Sequence, residues 1–112
     1  MQARLKSLTT TKRRPRAGHL PSVTPGELLL EEFMTPAGLT RYRLSKLIGV
    51  PPQRIGDIIT GKRAITADTD LRLCKFFGLS NGYWLRAQMA HDLEITRKRM
   101  RKTLQGIKPW QG

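Results

Sequence analysis

The chain is poor in acid, cysteine and aromatic residues, and it lacks any long apolar run. Asp and Glu together number 8 against 21 Lys and Arg, a net charge of +13 over 112 residues. Such an excess points to a polyanionic partner, nucleic acid first. The single cysteine, Cys74, excludes an intramolecular disulfide. No apolar segment follows the N-terminal charges, so nothing favours secretion and a cytoplasmic location is expected. Aromatics at 6% and hydrophobics at 38% suit one small core. No stretch approaches the roughly 20 apolar residues of a spanning helix, so no membrane partner is expected. Nor does any stretch alternate apolar and polar residues for long, which removes strands and leaves an all-α class.

Enzyme chemistry is missing too. His19 and His91 lie far apart, and neither has a Cys, Asp or Glu at the spacing of a metal site. The ten glycines fall at helix ends as punctuation, and none forms a phosphate-cradling loop. Cys74 sits amid Leu71 and Phe77 as a small core hydrophobe. No metal, cofactor or catalytic group is expected, and the chain reads as a non-enzyme.

What is present is unevenly spread. Residues 1–24 carry six basic residues and no acid, reading as a flexible basic arm. It could be a solvated tail, a minor-groove reader or a segment that orders on a partner. Residues 94–112 carry a net +5 and read as a second flexible basic tail, solvated or with Trp110 docked on the domain or a second subunit. Between them, 25–93 has a net of only +2 and all the convincing hydrophobic periods, so it is the expected folded domain.

Five helices are expected in that middle. The first opens at Pro25, carries Leu28, Leu29, Leu30, Phe33 and Met34, and is stopped by Pro36 and Gly38. The second is capped by Thr40, with Leu44, Leu47 and Ile48 inward, and ends at Gly49. The third starts at Pro52, buries Ile55, Ile58 and Ile59, and closes at Gly61. Thr66, Asp68 and Asp70 open a fourth with Leu71, Cys74 and Phe77 inward, ended by Gly78. Ser80 caps a fifth that starts near Tyr83 and Trp84 and can run into the basic extension.

The second and third helices are joined so tightly that they must cross steeply. This requires a small residue at the contact, supplied by Ser45, and a left-handed turn residue, supplied by Gly49. Residues 41–60 therefore resemble the helix-turn-helix of phage-repressor-like regulators. On the third helix Gln53, Gly56, Asp57 and Thr60 face away from the isoleucines and would meet base edges in a major groove, with Arg54 on the shoulder. Gln can pair with adenine and Arg with guanine. Asp57 could accept from cytosine or orient Arg54 or Arg41. Thr40, Arg41, Arg43, Lys62 and Arg63 are placed to hold phosphates.

The flanks sharpen this. Pro25-Gly26-Glu27-Leu28-Leu29, Pro36-x-Gly38-Leu39-Thr40, Gly61-Lys62-Arg63-x-Ile65-Thr66, Leu71-Arg72-Leu73 with Phe77-Gly78, and Trp84-Leu85-x-x-Gln88-x-x-x-Asp92-Leu93 resemble, in that order, the HigA-type antitoxins of the Xre repressor superfamily. The resemblance covers 25–93. It implies a five-helix phage-repressor-like DNA-binding domain that dimerises, represses its own operon at a palindromic operator of double-stranded DNA, and occupies a HigB-like mRNA endonuclease. It also implies a homodimer interface on the fifth helix, expected at Trp84, Leu85, Gln88 and Leu93. Tyr83, Ala87 and His91 depart from the usual Phe, Leu and Tyr on that same helix. Two other readings remain: a solitary repressor without a toxin, and a basic nucleic-acid-coating protein acting through its tails.

Overall fold

The computed structural model describes residues 23–112, and every regular element among them is helical. The N-terminal arm lies outside the described residues. Helix α1 is one continuous rod in three parts: Pro25–Leu28, a π-helical stretch Leu29–Met34, and Thr35–Ala37. It is followed by α2 (Arg41–Ile48), α3 (Pro52–Ile59), α4 (Ala67–Phe77), α5 (Tyr83–Arg99) and α6 (Arg101–Gln105).

A reciprocal capping box starts α1. Thr24 Oγ1 accepts the Glu27 N–H, and Glu27 Oε1 accepts the Thr24 N–H, each at 3.0 Å. The π-helical stretch has a packing consequence. Bonds spanning five residues stack residues five apart, bringing Leu29 and Met34 to the same face, where both are fully buried. Pro36 does not stop the rod. It continues to Ala37 and ends at Gly38, whose φ of 68° is left-handed. At its other end, Gly26 lies against the last turn of α3, where a Cβ would overlap the Ile58 carbonyl. That close approach fixes α1 across the end of α3.

The core joins Leu29 and Met34 to Leu44, Ile48, Val50, Ile55, Ile58, Ile65, Leu73, Cys74 and Trp84. Leu28, Leu30, Phe33, Ile59 and Phe77 are half-buried against it, and two further residues expected inward are exposed: Leu47 at 48% and Leu71 at 50%. On α2 the inward arc runs through Leu44, Ser45 and Ile48, and Leu47 falls beyond its edge. On α4 the arc is Thr69, Asp70, Leu73 and Cys74, which turns Leu71 outward. Cys74 is buried as expected, its thiol directed at the Ser80 carbonyl at 3.2 Å.

The start of α5 differs from expectation. Its N-cap is Gly82, not Ser80, and the missing side-chain cap is replaced from α4 by the buried Asp70. Asp70 Oδ2 accepts the Gly82 N–H at 2.7 Å, and Oδ1 accepts those of Trp84 and Leu85 at 2.8 and 3.1 Å. A carboxylate there satisfies otherwise orphaned donors and complements the positive end of the helix dipole. Thr66 precedes α4 but makes no side-chain cap bond.

Helix α5 passes through 93 and 94 without a break, so the expected domain edge falls inside it. The C-terminal extension is helical through Gln105 rather than a flexible tail. Glu94 ties Arg97 at 2.9 Å and Lys98 at 3.4 Å, and the basic last turn suits the negative end of α5.

Candidate nucleic-acid interface

The surface opposite the α2–α3 contact is built from local signals. Thr40 Oγ1 accepts the Arg43 N–H at 3.0 Å and starts α2. Gly49, at φ 75°, turns the chain, and Pro52 opens α3 at a position where its missing N–H costs nothing. Ser45 is fully buried at the crossing, its hydroxyl donating to the Tyr42 carbonyl at 2.7 Å. Beyond α3, the Asp57 carbonyl accepts the Lys62 and Arg63 N–H groups at 2.8 and 3.1 Å, folding that loop back over the helix end.

These elements enclose an open groove of about 570 Å³ lined by Thr40, Arg41, Tyr42, Pro52, Gln53, Gly56, Asp57, Thr60 and Lys62. It gathers Gln53, Asp57, Thr60, Thr40, Arg41 and Lys62 from the expected set. Gln53 is exposed and Asp57 half-buried. The Thr60 hydroxyl donates to the Gly56 carbonyl at 3.1 Å, which leaves its oxygen as an acceptor. Gly56 itself is buried, with the Arg41 guanidinium over it.

Three expected residues lie elsewhere. Arg43 is exposed but outside the groove. Arg63 lines a separate cavity of about 300 Å³ with Gly26, Gln88, His91 and Asp92. Arg54 is not among the groove-lining residues and is held in an ion pair: its Nη1 meets Asp68 Oδ1 at 3.1 Å. The same oxygen accepts from Arg72 Nε at 2.7 Å, and Arg72 Nη1 donates to the carbonyls of Ile48 and Gly49 at 2.8 and 3.2 Å. One carboxylate thus links the end of α2, α3 and α4. The Arg72 hydrogen bond, aided by the Arg54 charge, holds the Asp68 carboxyl below its usual 3.8. Asp57, considered as the residue that orients Arg54 or Arg41, forms no ion pair with either.

Sequence reasoning missed Tyr42, which is 61% exposed on the groove wall with Lys46 Nζ 5.4 Å from its ring centroid. An aromatic between two arginines was the available signal. It also missed the Asp68–Arg72 tie, visible as an i,i+4 pair of opposite charge.

The expected dimer residues divide. Trp84 is wholly buried within the protomer, its ring centroid 4.9 Å from Phe33 and 5.1 Å from Tyr83, so it is core and not interface. Burial raises the neighbouring Tyr83 hydroxyl above its usual 10.0, and the Glu32 charge adds to this. Gln88 is consumed internally, accepting the Ile65 N–H at 3.1 Å and donating to Asp92 Oδ1 at 3.0 Å. Leu85 is half-buried and Leu93 is 61% exposed. Met89, between them on the same face of α5, is 58% exposed and was not anticipated. Among the described residues no helix is long and apolar enough to cross a membrane.

A helix-turn-helix family model (HTH_3) matches residues 30–84, spanning α2, the turn, α3 and α4. The chain is 45% identical to virulence-associated protein I of Dichelobacter nodosus over 76 residues, 68% of this chain and 70% of that one. It is 34% identical to antitoxin HigA-1 of Vibrio cholerae over 99 residues, covering 88% and 87% of the two. Among solved structures, the Pseudomonas aeruginosa antitoxin HigA with the higBA promoter superposes with a TM-score of 0.74 at 27% identity, covering 79% of this chain and 97% of that one.

Proposed function

The chain belongs to the HigA-type, Xre-family helix-turn-helix regulators, and from that membership and its groove we infer that it is a sequence-specific DNA-binding repressor of its own operon, acting as a two-fold dimer and also binding a HigB-like endonuclease. The observation that carries the DNA reading is the convergence of Gln53, Asp57 and Thr60 from α3 with Arg41 and Thr40 from α2 on one open groove. The α3 groups can hydrogen-bond base edges, while Thr40 and Lys62 at its rim and Arg43 outside it hold phosphates. The promoter complex of the Pseudomonas HigA supports the same mode here. A dimer would pack Leu85, Met89 and Leu93, spaced four apart along α5, against their copies, and match a palindrome with half-sites about 34 Å apart.

The test is a footprint of the full chain on DNA upstream of its own reading frame, competed with scrambled duplex at several salt concentrations. A protected palindrome that scrambled DNA does not displace is expected. Equal binding to both sequences, with a steep loss on adding salt, would mean a coating protein. The solitary-repressor reading has one observation in its favour: a net charge of +13 is a poor match for a basic ribonuclease. Co-expression with the product of the neighbouring reading frame decides it. A co-purifying small basic protein supports the antitoxin role, and its absence the solitary repressor.

A further inference from the structure

Arg41 begins α2, yet its guanidinium lies on α3. A Cβ added at Gly56 would stand 2.8 Å from Arg41 Nη1, 3.7 Å from its Cδ and 3.8 Å from its Cζ. The side chain therefore crosses the groove and rests on the one residue of α3 that has no side chain to exclude it. Gly56 is three residues from Gln53, one from Asp57 and four from Thr60, so the guanidinium is delivered among the base-facing groups of α3. Arg41 forms no ion pair or hydrogen bond with any described residue, and its five donors are unspent.

On this basis, and resting on the DNA-binding reading above, we propose that Arg41 reads a guanine in the floor of the major groove, with Gly56 as the positioning residue that admits it there. The planar fork of a guanidinium matches the O6 and N7 acceptors of guanine in two parallel bonds. A phosphate is the poorer ligand at this position. Asp57, next to Gly56 and lining the same groove, repels a phosphate but can accept from the N4 amine of a cytosine. A donor fork beside an acceptor is complementary to G·C-containing steps and to no part of the phosphodiester chain. Phosphate-holding cations sit more naturally at or beyond the rim, where Lys62 and Arg43 are exposed. Glycine at 56 is a helix-weakening choice in the interior of α3, and the Arg41 guanidinium occupies the space that a side chain there would take.

The experiment uses the full chain. Duplexes enriched by the unaltered protein from a random double-stranded pool are remade with each guanine replaced in turn by 7-deazaguanine, which lacks the N7 acceptor. Binding is then measured for the unaltered chain, Arg41→Ala, Arg41→Lys and Gly56→Ala, with helical content checked by circular dichroism. One guanine per half-site should be worth roughly five- to 150-fold in affinity to the unaltered chain. That advantage should fall to near unity in Arg41→Ala, shrink in Arg41→Lys, and be reduced in a folded Gly56→Ala, whose methyl shifts the guanidinium. An Arg41→Ala variant that keeps the full guanine preference and weakens all duplexes alike, with a salt slope lower by about one, would assign Arg41 to a phosphate and overturn the proposal. A folded Gly56→Ala with unaltered preference would overturn the role of the glycine. Failure of the unaltered chain to enrich any sequence would overturn the DNA-reading function itself, and this proposal with it.

Discussion

Two pairs of consecutive helices divide the work of this molecule. In α2–α3 the caps and the turn are local, the buried contact is aliphatic with one small hydroxyl, and the polar side chains are left outside in a groove. In α4–α5 the polar group is inside. Asp70 reaches from the first turn of α4 to three N–H groups at the start of α5, and Trp84, the bulkiest buried side chain, stands on the first turn of α5. The first pair keeps its hydrogen-bonding capacity for a ligand, and the second uses it to fix the scaffold. Substitutions should therefore separate cleanly into those that unfold the chain and those that change what it binds.

The largest expected effect belongs to the second pair. Trp84→Ala should destabilise by about 3–5 kcal/mol, because a wholly buried indole packed on Phe33 and Tyr83 is replaced by a cavity. Denaturant unfolding measures this directly. A folded variant of near-normal stability that has merely become monomeric would return Trp84 to an interface and break the contrast. Next comes Asp70→Ala, expected to cost about 3 kcal/mol, since three helix-terminal donors lose a charged acceptor in a buried place. At temperatures where it is still folded, its base preference should be unchanged. An altered preference would mean that the two pairs are not independent.

The same contrast explains what could be read from the residues beforehand. Thr40, Gly49 and Pro52 act on the backbone within one turn of themselves, so the helix-turn-helix and its groove were legible. The cap of α5 was not, because its acceptor lies 12 residues upstream of Gly82 and looks like an ordinary first-turn acid of α4. The ion pair of Arg54 was not legible for the same reason: its partner, Asp68, lies 14 residues away. The two arginines on Asp68 are a tertiary fact that helical spacing alone reveals only for Arg72. Leu47 and Leu71 were counted inward on the usual spacing, but each falls just beyond an arc that the neighbouring helix covers. The i,i+5 pairing of Leu29 with Met34 has no signature in a 3.6-residue period.

Substitutions in the groove should leave the scaffold intact. Gln53→Ala is expected to cost about 1–3 kcal/mol at one base pair and relax preference there, with unfolding free energy nearly unchanged because Gln53 is exposed. Lys62→Ala should weaken all duplexes alike and reduce the slope of log affinity against log salt by roughly one. Titrations against the operator and scrambled DNA at several salt concentrations separate the two. If Lys62→Ala changed base preference while Gln53→Ala did not, α3 would lie in the major groove in another orientation.

The smallest effect tests the seam between the pairs, where Asp68 joins Arg54 of α3 to Arg72 of α4. Its carboxyl is held below its usual 3.8, first by the Arg72 hydrogen bond. A depressed pKa means that the folded state favours the ionised form. Its contribution is complete above the unfolded value of about 3.9 and is lost as pH falls through the lower folded value. Compared with Asp68→Asn, the unaltered chain should therefore show a constant small advantage in unfolding free energy at neutral pH, which fades below about pH 4. Because the carboxylate is largely solvent-exposed, high salt should reduce that advantage as well. An advantage that persisted undiminished at low pH would show that shape rather than charge holds α3 to α4. A change in DNA affinity at neutral pH with stability unaltered would instead place the Asp68 link in the orientation of α3, and with it on the recognition side of the molecule.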